Sequence, residues 1–477
     1  MQDARNFYIN GAWVAPREGR EFPVIDPSTE EEIATISLGG QADTDAAVAA
    51  AKAAFPIWFR SSKEERIELL ERMLKVYEAR IEEVAQAISI EMGAPIDLAR
   101  TAQAAAGAGH FQDAIRTLRE FEFEWMLGSN APGTRMIMEA IGVCALITPW
   151  NWPMNQVVLK VAPAIAAGCT VVLKPSEMAP LSSYLFAEIM HEAGVPAGVF
   201  NLINGDGAGV GTQLSVHPDV DMVSFTGSSR AGREITKNAA DTIKRVTLEL
   251  GGKGANVIFA DADEKAVSRG VRHCFNNSGQ SCNAPTRMLV ERSMYQKAVE
   301  TAVAVAGETT VAPAANDGRH IGPVVSDVQW EKIQGLIQKG IDEGGNLVAG
   351  GTGRPEGLNR GYYARPTIFA DVTPDMTIWR EEIFGPVLAI TPFDSEDEAL
   401  EMANDTAYGL TNYVQTQDQD KARRAARAFR TGMVEINGRS RGPGSPFGGY
   451  RQSGNGREGG VWGLEDFLEV KCVGGWE

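Results

Sequence analysis

The chain has 477 residues, more than a single hydrophobic core usually organises, so two or more domains are expected. Hydrophobic residues make up 44% and charged residues 22%, the balance of a soluble globular protein. A formal net charge of −17 argues against nucleic acid or an anionic membrane as partner and leaves room only for a local basic pocket.

The N-terminus has no apolar h-region and reads as a strand-and-turn entry. Residues 42–58 are Ala-rich, and 62–91 place apolar residues at helical spacing, so two helical stretches are expected, with a further helix over 96–119. Residues 121–129 shift towards strand alternation and read as an excursion from the main fold. From 141 the rhythm changes. Strands are expected at 141–147, 170–174, 199–203, 220–225 and 245–249, with helices at 153–167, 181–193, 207–215 and 228–240 between them. Such alternation implies right-handed βαβ crossovers and a parallel sheet.

The pattern restarts after Gly251 and Gly252, with strands at 255–259, 286–290, 387–391 and 434–437. Helices are expected at 263–277, 292–305, 328–340, 396–404 and 418–430, which makes a second α/β domain. Loops rich in Gly, Pro, Asn and Asp cover 306–326 and 350–363, and 441–460 is too glycine-rich for a regular element. That last stretch is either a site loop or a flexible linker. No stretch reaches the roughly 20 apolar residues of a membrane span, and the cytoplasm is the expected location.

Cysteines 144, 169, 274, 282 and 472 are odd in number and form no CxxC pair, so neither a disulfide framework nor a metal site is expected. Cys274 falls in a helical segment and reads as core. Cys282 lies in a polar, glycine-containing turn, flanked by Asn277, Ser278, Gln280, Ser281 and Asn283, which suits a nucleophile better than a core position. Only five histidines are present, so a carboxylate is the more available base. Glu249 ends an apolar strand before two glycines and is either a surface carboxylate or that base. Asn151 precedes Pro153 and reads locally as a helix cap. The fragment around Gly205, Gly207 and Gly209 is a weak phosphate-loop signal, since no acidic residue follows at the expected distance. Gly227 and Ser228 read locally as a tight turn and cap.

Several separated segments occur together in one order: PWNWP at 149–153, KPSE at 174–177, FTGS at 225–228, ELGGK at 249–253 and NSGQSC at 277–282. EEIFGP at 381–386 and PFGGYRQSGNGRE at 446–458 complete the set. In these segments the chain resembles the aldehyde dehydrogenase superfamily over nearly its whole length. The resemblance implies an α/β fold with a Rossmann-type cofactor domain from 1–118 and 141–251 and a second α/β catalytic domain from 252–445. It implies a small β oligomerisation element from 119–140 and 461–477, and a glycine-rich loop, 446–460, returning to the cofactor domain. By the same resemblance Cys282 attacks an aldehyde to give a thiohemiacetal, then a thioester that water hydrolyses.

Glu249 is then the general base, Asn151 and the Cys282 N–H the oxyanion donors, and Glu458 a carboxylate on a proton route. Lys160 either adds positive charge nearby or is a surface lysine. The implied cofactor contacts are Trp150, Lys174, Glu177, Gly207, Gly227, Ser228, Glu382 and Phe384. The pyrophosphate would meet the helix starting near Ser228. Glu177 would face a 2′-phosphate as a like charge, so NAD is expected over NADP, with NADP still possible because of Lys174. Trp152, Gln156, Leu159, Ser281 and Asn283 are expected near the substrate.

The chain departs from the family pattern at Ala140, where proline is usual, and at Arg230, where an acidic residue is common. Its loop between Asn437 and Phe447 is also shorter. Arg439 and Arg441 in that loop are either a solvated basic pair or a site for the carboxylate of a semialdehyde. The expected partners are a small aldehyde and water, with a homodimer or homotetramer formed through 121–138 and 468–476, which would otherwise be free edge strands. Three other activities stay open: an acylating dehydrogenase using CoA or phosphate, a cysteine hydrolase, and a non-catalytic binding protein.

Overall fold

Five strands, Val143–Ile147, Thr170–Lys174, Phe200–Leu202, Met222–Thr226 and Arg245–Glu249, lie parallel in one sheet of a computed structural model that describes residues 2–476. The first four are buried at every position, as expected of strands covered by helices on both faces. The sheet has eight strands and is mixed, not purely parallel as the alternation predicts: Phe7–Ile9, Ala12–Val14 and Gly454–Asn455 add antiparallel at its edges. Val143–Ile147 sits beside both Thr170–Lys174 and Met222–Thr226. The chain therefore runs outward in one direction, then returns to the other side of its starting strand. The crevice beyond the carboxyl ends of those two strands is a topological switch point, the usual ligand position in such sheets.

Pro153–Ala167 packs beneath that crevice. Proline opens the helix, where its missing N–H costs nothing, and Gly168 ends it at φ 96°. Every residue from Gln156 to Ala167 is buried, so the helix is held by surroundings on all sides.

The second large sheet has seven strands in the order 346–349, 367–370, 387–393, 287–291, 255–258, 411–415, 433–436. All neighbours are parallel except the edge pair Asn346–Ala349 with Thr367–Ala370. Thr411–Gln415, absent from the sequence expectation, is fully buried although three of its five residues are polar. Part of that polarity is used inside the sheet: Asn412 Oδ1 accepts from Ala255 N at 2.9 Å and Gln415 Nε2 donates to Asn256 Oδ1 at 3.0 Å, while Asn412 Nδ2 and the Thr411 hydroxyl are buried without a partner.

Other expectations need correction. The stretch 62–91 is two helices, Lys63–Ala79 and Ile81–Met92, broken at Arg80 with φ −109° and ψ 13°. Arg80 there donates to Glu83 and Glu188, each at 2.8 Å, tying the break to the neighbouring helix. Within 96–119 the helix widens to a π turn over Ala99–Ala104. Arg20–Asp26 and Glu31–Leu38 form an antiparallel hairpin that the sequence reading missed. Thr134–Ala140 and Leu468–Gly474 pair antiparallel over seven residues within the one chain, which leaves Leu468–Gly474 as one edge of a three-stranded sheet. Glu124–Met126 adds on the other side of Thr134–Ala140. No helix among the described residues is long and apolar enough to cross a membrane.

Candidate active site

The turn that presents Cys282 is held in left-handed backbone. Asn277, Ser278 and Gly279 follow one another at φ 52°, 56° and 74°. A Cβ on Gly279 would lie 2.0 Å from the Gly385 carbonyl oxygen, so only glycine fits. The polar residues that mark this turn in the sequence are not exposed. Asn277, Ser278 and Gln280 are buried, and their side chains hold the loop in place. Asn277 Nδ2 donates to the Asn151 carbonyl at 2.9 Å, Ser278 Oγ donates to Gly322 O at 2.7 Å, and Gln280 Oε1 accepts from Val325 N at 2.9 Å. Cys282 itself remains half-buried, and Cys274 is fully buried.

Glu249 ends its strand at the switch point and is 4% exposed, with no hydrogen-bond partner for either carboxylate oxygen. Burial first, and then the neighbouring Glu458, raise its pKa well above the usual carboxylate range, while Lys160 and Arg457 oppose that rise. Gly448 passes so close that a Cβ there would sit 2.6 Å from Glu249 Oε1. Burial, helped by Glu382 and Glu249, pushes the Cys282 thiol well above its ordinary value. Asn151 Nδ2 donates to Gln280 O at 3.0 Å, and its Oδ1 accepts from Gln156 Nε2 at 3.2 Å. The amide is thereby fixed beside the nucleophile turn.

These residues line one cavity of about 200 Å³. It brings together Cys282, Glu249, Asn151, Gln156, Trp150, Gly227, Ser228, Glu382 and Phe384. Gly227 N donates to Glu249 O at 3.0 Å, and Ser228 caps the helix Ser229–Ala239 by accepting from Ala231 N at 3.3 Å. Glu382 Oε1 accepts from Gly252 N at 2.9 Å. Trp150 and Phe384 meet edge to face, with centroids 5.5 Å apart and planes at 86°.

Sequence reasoning missed two residues of the cavity wall, Gln329 and Lys332, on the helix Asp327–Asp342. Gln329 Nε2 donates to Phe384 O and Lys332 Nζ to Glu382 O, both at 2.9 Å. They hold Phe384 at φ 60°, a conformation that a bulky residue adopts only when its surroundings impose it. Thr226 is the third, and its buried hydroxyl has no partner. Thr226 lies in the FTGS segment that the sequence singles out, whereas no sequence signal marks Gln329 and Lys332, whose partners are distant in the chain.

The other expected residues lie outside this cavity. Lys160 is not a surface lysine: it is 1% exposed, donates to Ser224 Oγ at 3.1 Å and forms an ion pair with Glu458. Lys174 is buried at the end of its strand, donates to the Pro175 and Gly205 carbonyls and lies 3.6 Å from half-buried Glu177. Gly207 is exposed at the start of a short helical turn capped by Asp206, whose Oδ1 accepts from Gly209 N at 2.6 Å. Trp152 Nε1 donates to Ser281 Oγ at 2.8 Å, and Asn283 O accepts from Tyr413 Oη at 2.6 Å. Leu159 lines a different, small cavity with His110 and Leu464. Arg439 is exposed, and Arg441 lies 3.5 Å from Glu435.

The cavity suits a dinucleotide. A helix N-terminus and two glycine-containing turns face it at the switch point, and a buried hydroxyl and carboxylate there lack partners in the protein. The aldehyde dehydrogenase family model matches residues 13–473. A 3-succinoylsemialdehyde-pyridine dehydrogenase from a Pseudomonas species is 53% identical over 479 residues, covering 100% of both chains. An aldehyde dehydrogenase structure from Bartonella henselae has a TM-score of 0.99 at 59% identity, covering 99% of this chain and 100% of that one. A mutant aldehyde dehydrogenase from Pseudomonas syringae, in complex with NAD+ and octanal, has a TM-score of 0.98 at 49% identity, covering 99% and 97%. The chain belongs to the aldehyde dehydrogenase family and is an NAD(P)-dependent oxidoreductase acting on aldehydes.

Proposed function

We propose that Cys282, Glu249 and Asn151 carry the oxidation of an aldehyde to its carboxylic acid, as nucleophile, general base and oxyanion donor. The observation that carries this reading is their meeting in one cavity with Gly227, Ser228, Glu382 and Phe384 at the switch point.

The thiol is held protonated by burial and by neighbouring carboxylates, so it attacks as it loses its proton to a base. Water reaching the half-buried thiol carries that proton to solvent, which leaves Glu249, desolvated and free of hydrogen bonds, for the hydrolysis that follows. As the sulfur–carbon bond forms, the carbonyl electron pair moves to oxygen, where the Asn151 amide and the Cys282 N–H stabilise it. When bound, the dinucleotide supplies the acceptor for the hydride that leaves this carbon, and the carbon remains on Cys282 as a thioester. Glu249 then takes a proton from water, whose oxygen adds to the thioester carbon. The carbon–sulfur bond breaks, sulfur leaves with the electron pair, and the acid is released. Glu458, paired with Lys160 and close enough to raise the Glu249 pKa, stands on the route by which that proton leaves.

Glu382 and Phe384 are read as the contacts of the nicotinamide ribose and ring, and Trp150 braces Phe384. Lys174 and Glu177 are assigned to the adenosine ribose. Glu177 supports NAD over NADP by repelling a 2′-phosphate. The eight-stranded layer is read as the cofactor domain and the seven-stranded layer as the catalytic one. Exposed Trp125, Met126, Leu127, Trp462 and Val470, on or beside the small sheet, support assembly with a second copy of the chain. Five free cysteines support a cytoplasmic location.

An aldehyde panel scored for NADH, with the carboxylic acid identified as product, tests this reading. Cys282→Ala should be silent towards every aldehyde while still binding NAD. Ester cleavage without NADH would point to a hydrolase, and a product that requires CoA or phosphate would remove water as the acyl acceptor.

A further inference from the structure

Arg441, one of the two arginines read as either a solvated basic pair or a site for a substrate carboxylate, already has a carboxylate beside it. Its Nε lies 3.5 Å from Glu435 Oε1, and its Nη1 donates to Pro446 O at 3.3 Å. Nη2 makes no hydrogen bond among the described residues, and the side chain is 26% exposed. Glu435 is the more buried partner, at 11%. The guanidinium lies over the Phe447 ring, 5.2 Å from its centroid. Phe447 is joined through two backbone hydrogen bonds to Glu458, and its neighbour Gly448 lies against Glu249. From the other side, Tyr413 Oη donates to Asn283 O, next to Cys282, and Tyr413 lies opposite Glu435 across paired strands. The Arg441–Glu435 pair therefore sits beside the nucleophile segment, and neither residue lines the cofactor cavity.

We propose that Arg441 and Glu435 together set the substrate class: a neutral aldehyde carrying a second hydrogen-bond acceptor, such as a ketone, amide or ring nitrogen. This inference rests on aldehyde oxidation at Cys282. The pair has no net charge. A carboxylate brought to Arg441 meets Glu435 as a like charge in a partly desolvated setting, and the repulsion offsets the attraction. A neutral acceptor takes an Arg441 hydrogen without that repulsion, and the half-buried Phe447 ring under the guanidinium offers it apolar wall.

Three aldehydes of matched length test this: butanal, 4-oxobutanamide and 4-oxobutanoate, each scored as kcat/KM for NADH formation. In the wild type the amide should exceed the carboxylate by about tenfold or more. In Glu435→Gln the carboxylate-to-butanal ratio should rise about tenfold, and in Arg441→Met the amide-to-butanal ratio should fall by a similar factor. A wild type that prefers 4-oxobutanoate, or a carboxylate-to-butanal ratio unmoved by Glu435→Gln, overturns the proposal. Absence of NADH from all three aldehydes would instead remove the activity on which it rests.

Discussion

The amide of Gly227 donates to the carbonyl of Glu249 at 3.0 Å, so the turn at the switch point and the strand end bearing Glu249 are one hydrogen-bonded unit. Their parent strands are neighbours in register, with Thr226 opposite Glu249. The proposed cofactor turn and the proposed base are thus coupled through backbone, while the Glu249 carboxylate is left without a hydrogen-bond partner.

Glu249→Gln keeps the shape of that side chain and removes its basicity. Stopped-flow NADH absorbance should show a burst near one per Cys282, followed by a steady rate lower by about 10²–10⁴. Because the ionised form acts, the wild-type deacylation rate should rise with pH through the elevated Glu249 pKa. The variant's profile should be flat across the same range.

Asn151→Ala removes the side-chain oxyanion donor, for a loss of about 10²–10³ in kcat. Asn151→Asp should do the same, since it cannot donate. NAD affinity, read from the quenching of Trp150 fluorescence, should be nearly unchanged in both. A weakening of NAD binding as large as the loss in kcat would mean that Asn151 acts on the cofactor site.

Lys160 is the one buried cation paired with Glu458, and it also opposes the rise of the Glu249 pKa. Lys160→Met leaves two buried carboxylates without it, at a cost of about 3–5 kcal/mol in stability. Lys160→Met/Glu458→Gln should recover much of that, because the second change removes the uncompensated charge. Thermal unfolding of the three proteins at one pH reads the difference.

Glu91 is 0% exposed, and its carboxylate accepts from the N–H groups of Leu181 and Ser182 at the start of the helix Leu181–Glu192. Burial pushes its pKa up to about 7 from 4.5. Between those values the folded chain holds a proton that the unfolded chain has released. Stability therefore falls as pH rises through the window, by about 3 kcal/mol from this group alone. Glu91→Gln should lack that part of the slope, which urea midpoints at about pH 5 and about pH 7 will measure.

The apolar strands at the heart of the cofactor sheet were legible because burial on both faces leaves a continuous hydrophobic run. Arg20–Asp26, Glu31–Leu38 and Thr411–Gln415 were not. The hairpin strands are half exposed and charged, and the third strand is polar, with only part of that polarity met by Ala255 and Asn256 across the sheet. The sequence singled out Cys282 on its polar neighbours, but Asn277, Ser278 and Gln280 among them are buried, and their polarity holds the left-handed turn instead of facing solvent. Lys160 and Glu458 were each visible as residues. Their pairing was not, because 298 positions of chain separate them. Gln329 and Lys332 carried no local signal for the same reason: their task is to hold the carbonyls of Phe384 and Glu382.

Mass spectrometry of Glu249→Gln, quenched in acid after mixing with NAD and an aldehyde, tests the covalent route most directly. The peptide containing Cys282 should gain the acyl group of that aldehyde, in amounts matching the NADH burst. NADH released with Cys282 unmodified at every quench time, or the acyl group found on another residue, would contradict it.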